Sequence, residues 1–123
     1  TDGGMADSIP VREAHRRGAT NITVIRTRPS HYLKKSNPAA LAVFYLYFRK
    51  YPKLVECFRK RAANYNASVA FMENPPEGVR VTQLTPPAGL SLGRTTADKV
   101  QLRAAYEKGI DHGRLFMKSY RSW

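Results

Sequence analysis

Cysteine is nearly absent from the chain: Cys57 is the single one. One thiol forms no internal bridge, so a secreted disulfide scaffold is excluded and a reducing or organellar compartment fits better. Acidic residues are the second shortage. Nine Asp and Glu stand against 21 Lys and Arg in 123 residues, a net charge of +12. A long hydrophobic run is missing too. The longest, Pro38 to Phe48, falls short of the ~20 apolar residues of a membrane-spanning helix, so no transmembrane span is expected. No secretory signal is visible. Thr1 rather than Met stands first, which fits either a processed mature form or a leader appended ahead of Met5. A removed organellar presequence would leave no trace in either case.

Catalytic signatures are equally scarce. The chain has no GxGxxG and no Walker pattern for a phosphate-cradling loop. His15, His31 and His112 lie in three separate regions and form no spaced metal motif with Cys57. Ser91-Leu92-Gly93 lacks the context of a nucleophile elbow. Glu73 and Glu77 flank Pro75-Pro76, a turn, where carboxylates serve solubility. Cys57 sits close to an apolar stripe, the ordinary place for an inert buried thiol. The expectation is a protein that is not an enzyme and has no metal, cofactor or small-molecule substrate. Two glycosylation triplets, at Asn21 and Asn66, are of a kind common by chance.

What the chain does have is concentrated positive charge. The stretch from Arg12 to Arg61 holds Arg12, Arg16, Arg17, Arg26, Arg28, Lys34, Lys35, Arg49, Lys50, Lys53, Arg59, Lys60 and Arg61. Its acids are Glu13 and Glu56 alone, so this stretch carries all but one unit of the net +12. A generic solvated surface mixes signs throughout. Uncompensated charge costs stability by self-repulsion, so a counter-charge is expected: RNA first, or an anionic lipid or an acidic protein partner. Apolar residues make up 42% of the chain and aromatics 11%, enough for one folded domain.

Periodicity suggests an α+β fold in a single small domain. Residues 1–20 read as a basic N-terminal arm with room for one or two helical turns. Asn21 to Thr27 (NITVIRT) alternates and is β-branched, which predicts a strand. Asn37-Pro38 predicts a helix start: Asn caps, and Pro sits where its missing N–H costs nothing. Leu41, Phe44, Tyr45 and Phe48 share one helical face, and Val43, Leu46 and Tyr47 widen it, which predicts a helix buried on most sides. Pro52 either kinks one long helix or starts another; Leu54, Val55, Phe58 and Ala62 carry the stripe to about Asn64. Tyr65-Asn66 reads as a break. Ala67 to Met72 and Val79 to Leu84 read as two antiparallel strands about a turn, with a short edge strand open to Gly89-Leu92. Thr95 opens a last helix with Asp98 in the capping-box position, and Gly109 is expected to stop it. The core domain then covers 21–110, and 111–123 is a basic, aromatic tail.

Two constellations stand out as candidate sites. On a continuous helix through Pro52, Arg49, Lys50, Lys53 and Lys60 share one sector, with Arg61 at its edge and the apolar stripe opposite. Such a face tracks a phosphate backbone, and it is equally what any solvated amphipathic helix presents. The tail interleaves Arg114, Phe116, Lys118, Tyr120, Arg121 and Trp123. Its aromatics suit base stacking, or anchoring in the protein's own core or a partner's groove.

The pieces NITVIRT, RKRAANYN, ASVAFMENPP, VRVTQL and TTADKVQLRAAYEKG, in that order, resemble the thioredoxin-like domain of certain mitochondrial ribosomal proteins and of a small accessory subunit of respiratory complex I. No redox CxxC is present. The resemblance spans roughly residues 21–109. It implies a basic structural subunit in a mitochondrion, not an oxidoreductase, and assigns no site residues. The resulting expectation is a non-catalytic subunit of an organellar ribonucleoprotein, with protein neighbours, whose basic surface faces RNA. The alternatives are an accessory subunit of a mitochondrial membrane complex, facing anionic lipid or acidic subunits, and a free-standing nucleic-acid-binding protein.

Overall fold

The structure is a computed structural model that describes residues 3–86 and 96–121, the side chains of the last two excepted. It is α+β, in the order strand, helix, helix, strand, helix, with a short helix ahead of them. The expected edge strand at Gly89-Leu92 lies outside the described residues.

Six residues, Val11–Arg16, form α1 behind a 3-10 turn at Gly3–Met5. The N-terminal segment thus holds the helical turns that its sequence allows. Ile9 and Val11 are buried, and burying them holds the segment against the long helix. Gly18 ends α1 with φ +94, a conformation that a Cβ would strain.

Strand β1, Asn21–Ile25, follows, then α2, Pro38–Phe48. Asn37 caps α2 as its sequence predicts: its side chain accepts from the backbone N–H of Ala40 at 3.0 Å. Residues 49–51 interrupt the helical run, and Pro52 starts a separate helix, α3, Pro52–Glu73. Proline suits a first turn because no N–H partner exists there anyway.

Helix α3 runs through the expected break at Tyr65-Asn66 and through the expected strand Ala67–Met72. Tyr65, Ser68, Val69 and Met72 are its buried residues, spaced i, i+3, i+4, i+7. That 3.6-residue period outweighs the weak strand signal of a segment whose only β-branched residue is Val69. Asn66 is diverted from breaking the helix. Its Oδ1 accepts from the Lys34 N–H at 2.8 Å and its Nδ2 donates to the Lys34 carbonyl at 3.0 Å. A side chain bonded to a distant backbone no longer competes for its own.

Strand β2, Arg80–Leu84, is entered through Gly78 at φ +77. It pairs with β1, and the pairing is parallel. Arg80 N–H donates to Thr20 C=O at 2.7 Å, and Arg26 N–H donates to Leu84 C=O at 2.8 Å, so both strands advance together. The expected antiparallel hairpin fails because its first strand is helical. Parallel neighbours need a long crossover, which α2 and α3 supply.

By its contacts the chain falls into two units. The first holds residues up to 24 and 33–82. Its core is Ile9, Val11, Ile22, Tyr65, Val69 and Met72, with α1 and α2 both packed on α3. The second holds 25–32 and the chain from 83 onward, including α4, Lys99–Arg121. Asp98 caps α4, its Oδ1 accepting from Val100 N–H at 2.9 Å. Gly109 does not stop this helix. An internal glycine costs about 1 kcal/mol against alanine, and the good helix formers Ala104, Ala105, Glu107 and Lys108 before it and Arg114, Leu115, Met117 and Lys118 beyond it carry the helix across. Residues 111–121 therefore continue α4 rather than forming an irregular tail.

Candidate polyanion-docking surface

The predicted cations have different fates. Arg26 is buried at 6% exposure. Its Nη1 donates to the Ser30 carbonyl at 3.1 Å and to Gln83 Oε1 at 3.0 Å, and Nη2 lies 3.5 Å from the Tyr32 carbonyl. It organises the loop after β1 and is unavailable to a partner, which corrects its place in the predicted footprint. Arg28 lies with its guanidinium carbon 5.1 Å from the Tyr32 ring centre. Both belong to the second unit.

The remaining cations of the stretch belong to the first unit. Arg16 and Arg17 both hold Glu13, at 2.6 and 2.8 Å. Lys34 is half-buried with Nζ 4.9 Å from the Tyr65 ring centre. Arg61 is half-buried, and its Nε finds no hydrogen-bond partner. Arg59 and Lys60 share Glu56 at 2.7 and 2.8 Å. Arg12, Lys35, Arg49, Lys50 and Lys53 are exposed.

The helical sector drawn through Pro52 does not survive, because Arg49 and Lys50 stand at the interruption between two helices. Instead, Arg49 and Lys50 end α2 and Lys53 opens α3. The first turn of α3 holds no acid. The positive end of its dipole thus adds to the three cations rather than offsetting them.

Glu13 and Glu56 are both held down to about 2 from the ordinary 4.5, by side-chain hydrogen bonds from Arg16 and then Arg17, and from Arg59 and then Lys60. Folded values below the ordinary one mean that these pairs act in full above about pH 4.5 and are lost as pH falls through about 2. The pairs are exposed, so their screened contribution to stability is small. Their larger effect is on available charge. Glu56→Gln is expected to free Arg59 and Lys60 and tighten binding to a phosphate polymer by roughly three- to tenfold. The melting temperature should stay put. Fluorescence anisotropy at stepped salt checks this, and unchanged affinity would mean that neither side chain reaches the partner.

Beside these cations lies a feature that the sequence reading missed. No residue of α2 is buried. Phe44 stacks on Phe58 of α3, ring centres 4.2 Å apart and planes 9° apart, and also on Phe48 at 4.5 Å. The outer side is open: Val43, Tyr45, Leu46 and Tyr47 are exposed, the last two at 68% and 79%. Pro38, Leu41, Tyr45 and Val55 line an apolar cleft between α2 and α3, with Arg59 at its edge. All-round apolarity ordinarily marks a core helix, so the pattern alone pointed inward. No charged or amide side chain occurs within α2.

In the second unit, Arg114 lies 3.5 Å from Asp111 on α4, Lys118 is exposed and Phe116 is half-buried. The side chains of Tyr120 and Arg121, and all of Trp123, lie outside the described residues. Helix α4 also carries exposed Leu102, Tyr106 and Met117. Among the described residues, no group of three or more His, Cys, Asp or Glu is placed to hold a metal ion. No helix among them is long and apolar enough to cross a membrane.

Comparison with known proteins adds a lineage. The chain is 32% identical over 116 residues to the uncharacterized protein YjjU of Escherichia coli (strain K12), which covers 94% of this chain. It spans about a third of that relative's length, 32%. The relative is bacterial, which overturns the mitochondrial placement expected above. The segment ASVAFMENPP, counted as a strand in the thioredoxin-like resemblance, begins inside α3. No solved structure matches the chain. Residues 51–123, from the end of the α2–α3 interruption through α4, match the domain of unknown function DUF6363, and the chain belongs to that family.

Proposed function

We propose that this chain is a non-catalytic docking module that binds a phosphate-bearing polyanion through Arg49, Lys50 and Lys53, supported by Arg12 and Lys35. The observation that carries this reading is the exposed cation cluster at the α2–α3 interruption, with no acid in the first turn of α3. Nearby acids would neutralise such a cluster; here Glu56 is occupied by Arg59 and Lys60 instead. Each phosphate contact releases condensed counterions, so affinity should fall steeply with salt.

RNA and an anionic lipid surface offer the same phosphate chemistry. RNA was the first expectation on charge. The open apolar side of α2 favours lipid, since phosphates and base edges do not cover aliphatic side chains. The remaining length of the longer relative offers protein neighbours as well, which is a further part of the proposal.

Reversing Arg49, Lys50 and Lys53 together to Glu is the test. Affinity for both single-stranded RNA and anionic vesicles should drop by a factor on the order of a hundred or more. The fold should hold, because all three side chains are exposed. Unchanged binding by a folded triple variant sinks the reading.

A further inference from the structure

We infer that α2 is a membrane-contacting element: an anionic phospholipid bilayer covers its outer face while Arg49, Lys50 and Lys53 engage headgroup phosphates. This rests on the docking reading above and names its partner. Three observations converge on a bilayer.

The first is the character of the open face. Helix α2 has eleven residues without a charge, and Val43, Leu46 and Tyr47 stand in solvent. Contiguous exposed apolar surface of this kind marks an interaction site. A free interfacial helix carries its own polar face; here α3 takes that role, gripping the Phe44 side by aromatic stacking.

The second is the sequence of chemistries along the chain. Aliphatic Leu41, Val43 and Leu46 are interspersed with Tyr45 and Tyr47, and Arg49, Lys50, Tyr51 and Lys53 follow at the end of the helix. A helix lying flat in a bilayer interface has this make-up, with aliphatic side chains reaching hydrocarbon, tyrosines at headgroup level and cations at the phosphates. Lys34 and Lys35 bracket the other end of α2. Charge complementarity therefore selects an anionic surface over a neutral one.

The third is length. Eleven residues rise about 16 Å, too short to cross a bilayer about 30 Å thick and long enough to lie along its surface. The apolar cleft beside Tyr45 and Val55 is continuous with α2 and extends the same face.

The experiment is flotation with vesicles of phosphatidylcholine alone, or with phosphatidylglycerol as roughly a third of the lipid. A single-stranded RNA oligomer is measured in parallel, and sedimentation reports the state of the chain without lipid. The native chain should float with the anionic vesicles alone. Val43→Asn with Leu46→Asn should lower that partition by roughly tenfold or more while leaving the melting temperature and any RNA affinity unchanged. The triple Glu variant should abolish floating outright. If the double Asn variant floats as well as the native chain, α2 does not enter the membrane and the inference fails. If RNA binds with steep salt dependence and vesicles do not, the bilayer is wrong while polyanion docking stands. A native dimer that the double Asn variant dissolves, with no floating, assigns the face to a second copy and also overturns the inference. If nothing anionic binds, both readings fall together.

Discussion

Val69→Asp is expected to leave the chain unfolded at neutral pH. Val69 is 2% exposed on the buried face of α3, between Tyr65 and Met72. The residues buried with it are few: Ile9, Val11 and Ile22 are the other apolar ones in the described chain. A thin core has little to spare, because domains of this size are held by about 5–15 kcal/mol in all. An unpaired carboxylate in such a place costs several kcal/mol, and the lost valine packing adds about 2. Among the described residues of this unit no Lys or Arg is buried to pair with it. Val69→Ala is the graded companion and should cost about 2 kcal/mol without loss of the fold. Far-UV circular dichroism and urea titration read both. An Asp variant that melts within a few degrees of the native chain would show that α3 does not bury this face.

Arg26→Ala should cost about 2–4 kcal/mol and leave polyanion binding untouched. The side chain lies 3.0–3.5 Å from three acceptors: the Ser30 and Tyr32 carbonyls and Gln83 Oε1. Alanine strands all three in a partly buried place. Arg26→Lys should not restore stability, because one ammonium cannot reproduce the forked geometry of a guanidinium. Hydrogen exchange should localise the damage to residues 25–32 and 83–86. The opposite pattern, intact stability with weakened phosphate binding, would return Arg26 to the docking surface and remove it from the loop.

Arg26 also shows where sequence reasoning ran out. As a letter in the chain it is one more cation in an acid-poor stretch, and nothing local distinguishes it from Lys35. Only the return of β2 beside β1 brings Gln83 to it. The local signals did better. NITVI, Asn37-Pro38 and the alternation at Arg80–Leu84 each report a short-range preference, and each names its element correctly. Ala67–Met72 failed because a six-residue apolar run fits either period, and the deciding neighbour, Tyr65, had been assigned to a break. The exposed cations at Arg49, Lys50 and Lys53 are legible as composition. Their grouping about an interruption, rather than along one helix, is not. The exposure of α2 was the least legible of all, since apolar letters do not say whether a neighbour exists to cover them.

The parallel pairing of β1 with β2 has a consequence for synthesis. A hairpin partner would emerge within moments of β1, but roughly fifty residues separate these strands, and closing so long a loop is slow. At ~5–20 residues per second, β1 waits about 3–12 s for β2 to leave the ribosome. During that interval NITVI offers unpaired backbone groups and two isoleucines to any nascent neighbour. Helices α2 and α3 form in the meantime from local contacts, so the sheet closes last. Conditions that crowd polysomes or slow elongation between residues 26 and 79 should therefore lower soluble yield more than the stability of the finished fold would suggest.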